Sequence, residues 1–248
     1  EPEKHFGYFA LYMSFFPKIL QGPIERSNSF LPQLKKPYKF NYDNMRSGLL
    51  LFTWGLFKKV VIADRLAVLV NTVYGNVNDY MGLSLIVATY SYAIQIYMDF
   101  SGYTDMALGT AKLFNIELTD NFNRPYFATN VAEFWRRWHI SFSNWLQDYI
   151  FKPLQMRMRN LKIWGSIFAT LITFFISGLW HGASWTFVIW GLIHGIYLAT
   201  SIIYKPFQKK IYKKLKLSDT KILKIWNTFV TFNLVSFAWI FFRSDRKS

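Results

Sequence analysis

The feature that most constrains this chain is a run of 42 residues, Ile163 to Tyr204, that contains no Lys, Arg, Asp or Glu. A helix needs about 20 mostly apolar residues to cross a bilayer, so the run is long enough for two helices. We expect them to be Ile163–Trp180 and Trp185–Tyr204, joined around His181–Ser184. The sequence therefore predicts an apolar hairpin with a histidine near its tip, and an ionisable residue in such a place is a functional candidate.

The composition agrees with a membrane protein. Hydrophobic residues make up 52% of the chain and charged residues only 17%, against about 25% in soluble proteins. Aromatic residues reach 20%, and such residues concentrate where a bilayer meets water. The chain has no cysteine, which excludes disulfides, a thiolate nucleophile and zinc–thiolate sites within it.

Other segments indicate further membrane helices. Met81–Met98 and Ile225–Phe242 are long and apolar enough to span. Phe6–Phe16 is short, and we interpret it as the end of a span or a re-entrant piece. Leu49–Tyr74 is long enough, but it contains four charged residues that must pair, face a wet cavity or mark a break: Lys58, Lys59, Asp64 and Arg65. The sequence predicts an all-α, polytopic membrane protein with re-entrant or broken helices.

The segment Glu133–Ile150 is different, because it is amphipathic and too charged to span. At 100° per residue its large apolar side chains fill one arc of a helix. Asn130 and Glu133 resemble a capping box for its start. We predict one interfacial amphipathic helix, with His139 at the edge of its aromatic face.

The net charge of +15 fits nucleic acid, an acidic partner or lipid headgroups. Eight lysines fall in 205–224, directly after the apolar run, and no nucleic-acid motif accompanies them. We therefore expect the lipid bilayer as partner and no nucleic acid. The basic loops predict that 32–46, 152–162 and 205–224 are cytoplasmic and that 75–80 is external. This orientation would place three basic residues outside, Arg243, Arg246 and Lys247, which disagrees with the rule that basic residues stay on the cytoplasmic side.

His181 has two interpretations. It is either a buried histidine bonded to a backbone carbonyl at a helix break, or a general base kept neutral by its apolar surroundings. Gly178 and Gly182 favour the second, because they leave room for a substrate, and Trp180 and Trp185 would form a wall.

The remaining polar residues offer weaker candidates. His139 is either an interfacial histidine or a second imidazole in the same cavity, and His194 is expected to be packing. Asp99, Ser101 and Asp105 form either a solvated cap or a network that orients a catalytic group. We expect no metal, because H-x-x-x-H and H-E-x-x-H patterns are absent. A hydrolase with a serine nucleophile stays a weak alternative, because the G-x-S-x-G pattern is absent.

Six ordered blocks resemble the membrane-bound O-acyltransferase family. The blocks cover most of the chain: FFPKILQGPIER (15–26), LFKKVVIAD (56–64), DFSGYTDMALG (99–109), NFNRPYFATNVAEFWRRWHISFSNWLQDYIFKPL (121–154), GLWHGASWTFVIWGLIHG (178–195) and FAWIFFRS (237–244). The bacterial branch that includes the alginate O-acetylation membrane protein fits best, and the teichoic-acid D-alanyl transfer protein is more distantly similar. As a set the blocks are specific, whereas WHG alone is weak.

The resemblance implies an enzyme that moves an acyl group, acetyl in this branch, from a cytoplasmic thioester to a hydroxyl of a cell-surface polysaccharide. The donor would be acyl-CoA or an acyl carrier, with no bound cofactor. His181 corresponds to the family's catalytic histidine and His139 to the second histidine of this branch. The support candidates are then Asp99, Ser101, Asp105, Trp180 and Asn144.

The resemblance also implies a setting. The protein would be a multi-pass protein of a bacterial inner membrane, working with an extracytoplasmic acyltransferase- or esterase-like partner. Family members are about twice as long, so we expect 1–248 to be a single transmembrane core that lacks helices at both ends. Two alternatives stay open: a transporter or channel that uses intramembrane His and Asp, and a non-catalytic scaffold of an acyltransferase complex.

Overall fold

The computed structural model describes residues 3–214 and 220–244, and their regular elements are all helical, which confirms the all-α class. The chain divides into two compact units, Glu1–Phe122 and Asn123–Ser248. The expectation of a single core over 1–248 stays a prediction.

The first unit contains five α-helices: α1 (Phe6–Ser14), α2 (Ser27–Leu34), α3 (Tyr42–Phe57), α4 (Asp64–Gly75) and α5 (Leu83–Leu113). Short 3₁₀ turns follow α1 at Phe16–Lys18 and α4 at Val77–Asp79. Between α3 and α4 the chain stays helical through a π-helical segment, Lys58–Ala63. The segment Phe6–Phe16, expected to be the end of a span or a re-entrant piece, contains a helix of nine residues that ends at Ser14.

Helices α3 and α5 approach closely because glycines face each other. A Cβ atom added to Gly55 would lie 2.4 Å from the carbonyl oxygen of Gly102, and one on Gly109 would lie 2.5 Å from that of Gly48. No side chain larger than hydrogen fits at either crossing point. The π-helical segment after α3 is therefore held against α5.

This close packing pairs charges in the segment Leu49–Tyr74. Lys58 Nζ lies 2.5 Å from Asp105 Oδ2, and Lys59 Nζ lies 2.5 Å from Asp99 Oδ1 and 2.8 Å from Asp64 Oδ1. Of the three expectations for these charges, pairing is confirmed for Lys58, Lys59 and Asp64, whereas Arg65 forms no ion pair among the described residues. The break into two half-helices is wrong, because the π-helical turn carries the helix through.

The second unit contains six α-helices: α6 (Val131–Arg137), α7 (Ile140–Leu146), α8 (Lys152–Arg157), α9 (Ile163–His181), α10 (Trp185–Lys214) and α11 (Lys221–Arg243). A π-helical segment, Gln147–Phe151, joins α7 to α8. Two 3₁₀ turns complete it, Pro125–Phe127 before α6 and Arg159–Leu161 before α9.

Three helices among the described residues, α9, α10 and α11, are long and apolar enough to cross a membrane. They confirm the hairpin and the last expected span. The expected span Met81–Met98 lies mostly in α5, which is not one of the three.

The lysine-rich stretch 205–224 is not simply a loop. Helix α10 continues through Pro206 to Lys214, and α11 begins at Lys221. The expectations that fall on residues 215–219, on Arg246 and on Lys247 lie outside the described residues.

The hairpin of α9 and α10 is packed on glycines, as the two small-xxx-small sequences predict. A Cβ atom on Gly178 would lie 2.5 Å from the carbonyl oxygen of Phe187, and one on Gly191 would lie 2.3 Å from that of Phe174. The two backbones therefore touch where these glycines cross.

The expected single amphipathic helix Glu133–Ile150 is wrong in its continuity. Helix α6 ends at Arg137 and α7 begins at Ile140, and His139 between them has a left-handed φ of 43°. The start is as expected, since Asn130 Oδ1 accepts from the backbone N–H of Glu133 at 2.9 Å. The Glu133 carboxylate reaches back one residue further than in a standard capping box, to the N–H of Thr129.

Candidate active site

His181 is the last residue of α9, and it lies half-buried at the tip of the hairpin. Five aromatic rings surround its imidazole, with centroid distances from 4.9 to 6.3 Å: Phe142, Trp180, Phe187, Trp190 and Phe242. Within residues 3–214 and 220–244 the imidazole has no hydrogen-bond partner. The interpretation in which a backbone carbonyl holds this histidine is therefore wrong among these residues.

The glycines beside His181 do not leave room for a substrate, contrary to the sequence-based expectation. A Cβ atom on Gly182 would lie 2.7 Å from Cε2 of the Phe187 ring. The space beside Gly178 is taken by the backbone of α10. Both glycines serve the packing of the hairpin.

Trp180 lies beside the histidine as a partly exposed wall. Its side chain is 57% exposed, and its ring lies 4.4 Å from that of Phe142 and 4.9 Å from that of His181. Trp185 is 79% exposed, and no ring contact joins it to His181 among the described residues. The wall expected from two tryptophans therefore consists of Trp180 and Phe142.

His139 lies in the same place, and it is buried rather than interfacial. Its imidazole stacks on Phe142 at 4.9 Å and lies 6.3 Å from Trp180. Burial, with a smaller effect of the nearby His181, lowers the pKa of His139 to about 3. The ring is therefore neutral at physiological pH. The structure thus brings together the two histidines that the sequence separates by 42 positions.

The left-handed backbone at His139 sets this arrangement. Residues with such a φ are uncommon outside glycine, although histidine, asparagine and aspartate adopt it more readily than others. The turn separates α6 from α7, and Phe134 and Phe142 on either side of it are both buried. It also directs the chain so that His139 and Phe142 meet the end of α9.

His194 is packing, as expected. It is fully buried on α10, and its Nδ1 accepts a hydrogen bond from Trp135 Nε1 at 3.3 Å. Trp190 links it to the candidate site, since its ring centroid lies 5.2 Å from His194 and 5.0 Å from His181. Sequence reasoning missed Trp190, although its spacing of four residues from His194 places both on one face of α10.

The other support candidates lie elsewhere. Asp99, Ser101 and Asp105 belong to α5 of the first unit, where the two carboxylates pair with lysines and Ser101 is buried. Asn144 is exposed on α7 and lines a cavity that is described below. Their supporting role stays a prediction. No group of three or more His, Asp or Glu side chains among the described residues is placed to hold a metal ion.

The second unit contains a cavity of about 320 Å³. Residues of α6, α7, α9 and α10 line it, with Trp135 and Phe174 on its apolar side and Arg136 and Lys205 as its cations. Neither His181 nor His139 is among the residues that line it. The two histidines therefore do not belong to the lining of this cavity, although Trp135 in the lining contacts Trp190, which lies beside His181.

The sequence is similar to those of several known proteins. The chain is 41% identical over 243 residues to a peptidoglycan O-acetyltransferase of Helicobacter pylori, covering 97% of the chain and 44% of that protein. It is 35% identical to a probable alginate O-acetylase of Pseudomonas aeruginosa, covering 96% and 43%. A teichoic acid D-alanyltransferase of Bacillus subtilis is 30% identical, covering 95% and 60%.

These relatives are longer than the chain, which spans between about two fifths and three fifths of their length. Residues 4–242, almost the whole chain, match the family described as MBOAT, the membrane-bound O-acyltransferase family. All six sequence blocks lie within this match or cross its end. The chain therefore belongs to the membrane-bound O-acyltransferase family.

Proposed function

We propose that this chain carries the catalytic centre of an enzyme that transfers an acyl group, acetyl in the simplest case, from a thioester to a hydroxyl of an exported polysaccharide. The observation that carries the proposal is that His181 and His139 lie together at the hairpin tip. Both contact the rings of Phe142 and Trp180. The names of the relatives describe acyl transfer to peptidoglycan, alginate and teichoic acid.

His181 acts as general base. One nitrogen of its imidazole takes the proton of the acceptor hydroxyl while the oxygen attacks the thioester carbonyl. The carbon–sulfur bond then breaks, the acyl group stays on the acceptor oxygen, and the imidazolium returns the proton to the thiolate that leaves. An acyl relay through a second carrier uses the same proton transfer. With no cysteine in the chain, no S-acyl intermediate forms on it.

His139 orients a substrate or the first imidazole. Its burial keeps it neutral, so it can donate through one nitrogen and accept through the other. A neutral group beside His181 does not oppose the imidazolium that forms in the reaction, whereas a second cation would. This division of roles fits the buried position of His139 and the half-buried position of His181.

The setting follows the same proposal. The protein is a multi-pass protein of a bacterial inner membrane, its donor is cytoplasmic acyl-CoA or an acyl carrier, and an extracytoplasmic acyltransferase- or esterase-like protein accepts the acyl group or the polymer. Support comes from three helices that can cross a membrane and from lysines at the end of α10, which favour the cytoplasmic side.

The test uses the full-length protein, purified and reconstituted into liposomes. A radiolabelled acyl thioester is added on one side and a polysaccharide acceptor on the other. Label in the acceptor with wild type, and its loss with His181→Ala, supports the enzyme. Label that crosses the bilayer without forming an ester indicates a transporter instead, and full activity of His181→Ala indicates a scaffold.

A further inference from the structure

The cavity in the second unit has a chemistry of its own. Its two cations, Arg136 and Lys205, have no ion-pair partner anywhere in the described parts of the chain. No described residue that lines the cavity is acidic. Both side chains are exposed. Two unpaired cations in one lining attract an anion, and arginine in particular suits a phosphate.

The rest of the lining differs from the two cations. Trp135, Phe174, Leu198 and Ile202 belong to it, and the hydroxyls of Thr170 and Thr173 are already bonded to backbone carbonyls of α9 at 2.8 and 2.7 Å. The side chains of Gln147 and Ser201 add polar groups to the lining, but most of the surface of the cavity is apolar. A ligand that is anionic at one end and mostly apolar along its length fits this lining.

The position of the cavity along α10 matches a lipid. Lys205 is the first charged residue after the apolar run, so it lies where the hydrocarbon layer ends. Leu198 is seven residues earlier, about 10 Å deeper at the rise of an α-helix. A phosphate at Lys205 and Arg136 would thus place an acyl chain beside Leu198 and Phe174.

We propose that this cavity binds one anionic phospholipid, with its phosphate against Arg136 and Lys205 and one acyl chain along the apolar wall. A reacting donor fits less well, because a thioester must reach the histidines and neither His181 nor His139 lines the cavity. Basic pockets between membrane helices bind anionic headgroups by the same chemistry. The proposal is independent of acyl transfer.

The experiment counts bound lipid on the full-length protein. The protein is reconstituted in nanodiscs of phosphatidylcholine with phosphatidylglycerol as the minor lipid, and retained lipid is measured by native mass spectrometry. The variant Arg136→Gln/Lys205→Gln should retain about tenfold less phosphatidylglycerol, because both charge-assisted contacts are lost. The matched control, Lys209→Gln/Lys210→Gln, removes the same charge outside the cavity and should retain it.

A second variant tests the apolar part. Ser201→Phe keeps both cations but fills the cavity, so it should also lose phosphatidylglycerol. Equal retention by wild type and both cavity variants would overturn the proposal, as would equal loss in the lysine control, which would indicate general surface attraction. Coenzyme A and inorganic phosphate are added in separate arms. Displacement of the lipid by either would assign the cavity to a soluble phosphate compound instead, and its persistence supports the lipid.

Discussion

His139 and His181 contact the same two rings, Phe142 and Trp180, although one lies at a helix break and the other at the end of a membrane-length helix. The two imidazoles therefore depend on the same aromatic neighbours for their position. A change in either ring should therefore affect both histidines together. Histidine substitutions, in contrast, should separate their roles.

We expect His181→Ala to reduce acyl transfer at least about 100-fold, because general-base catalysis contributes about 10²–10⁴-fold. His181→Gln should not restore activity, since an amide accepts hydrogen bonds but does not take the proton. The measurement is acyl transfer by the full-length protein, with size-exclusion chromatography in detergent as the check on folding. Activity of His181→Ala within about threefold of wild type would refute the assignment of the base.

His139→Gln should keep more activity than His139→Ala, because an amide can replace an orienting hydrogen bond. The limb of the pH–rate profile that reports the general base should persist in both His139 variants and disappear only in His181 variants. If the limb disappears in His139→Gln as well, the two histidines form one proton-transfer unit and their roles are not separable.

Burial of His139 also predicts a pH dependence of stability. Its pKa is about 3 in the folded protein and about 6.5 in an unfolded chain. Between these values the unfolded state binds the extra proton, so stability falls as the pH is lowered from about 6.5 towards 3. The melting temperature of His139→Gln should fall less steeply over this range than that of wild type. Parallel curves would show that His139 is not buried as described.

Trp190 should act through the shape of its ring. Its indole N–H has no hydrogen-bond partner among the described residues, so Trp190→Phe loses no bond and keeps an aromatic face beside His181. Trp190→Leu removes that face and frees the imidazole to rotate. We expect kcat to fall at least about tenfold in the leucine variant, with KM little changed, because misplaced catalytic groups lower the rate of the chemical step. An equal loss in the phenylalanine variant would assign the effect to the N–H instead.

Gly191→Ala should destabilise the hairpin by about 1–3 kcal/mol, a usual cost of overpacking, because its new Cβ would meet the carbonyl oxygen of Phe174. Gly75→Ala is the matched control, since nothing lies within 4 Å of a Cβ atom there. Thermal unfolding in detergent measures both. Equal melting temperatures of the two variants would show that α9 and α10 do not approach as closely as described.

The hairpin could be predicted from the sequence because a charge-free run of this length leaves few alternatives. The break at His139 could not, since α6 and α7 both bury their aromatic side and the apolar period continues across the turn. Pairing of Lys58 and Lys59 was one of three expectations. The crossing of α3 and α5 at their glycines brings these lysines to the carboxylates. Such a crossing joins residues about 50 positions apart, so the local sequence does not reveal it.

The candidate site also combines features that the sequence predicts with features that only the structure shows. His181 and His139 were candidates from their motifs, and the structure adds that they share neighbours. Trp190 carries no motif, because a tryptophan in an apolar helix fits packing equally well. Gly178 and Gly182 were misinterpreted for a related reason: a glycine next to a histidine permits either a ligand or another helix, and sequence spacing does not distinguish the two.

Pro206 makes α10 more flexible at one point. A proline donates no hydrogen bond to the carbonyl four residues earlier, here that of Ile202, so a helix bends most easily at this point. Pro206 lies just after the apolar run. It separates the half of α10 that contains Trp190 and His194 from the half that contains most of the lysines. We therefore expect the basic half to tilt at Pro206 when the lipid surface moves, while the packed half keeps Trp190 beside His181.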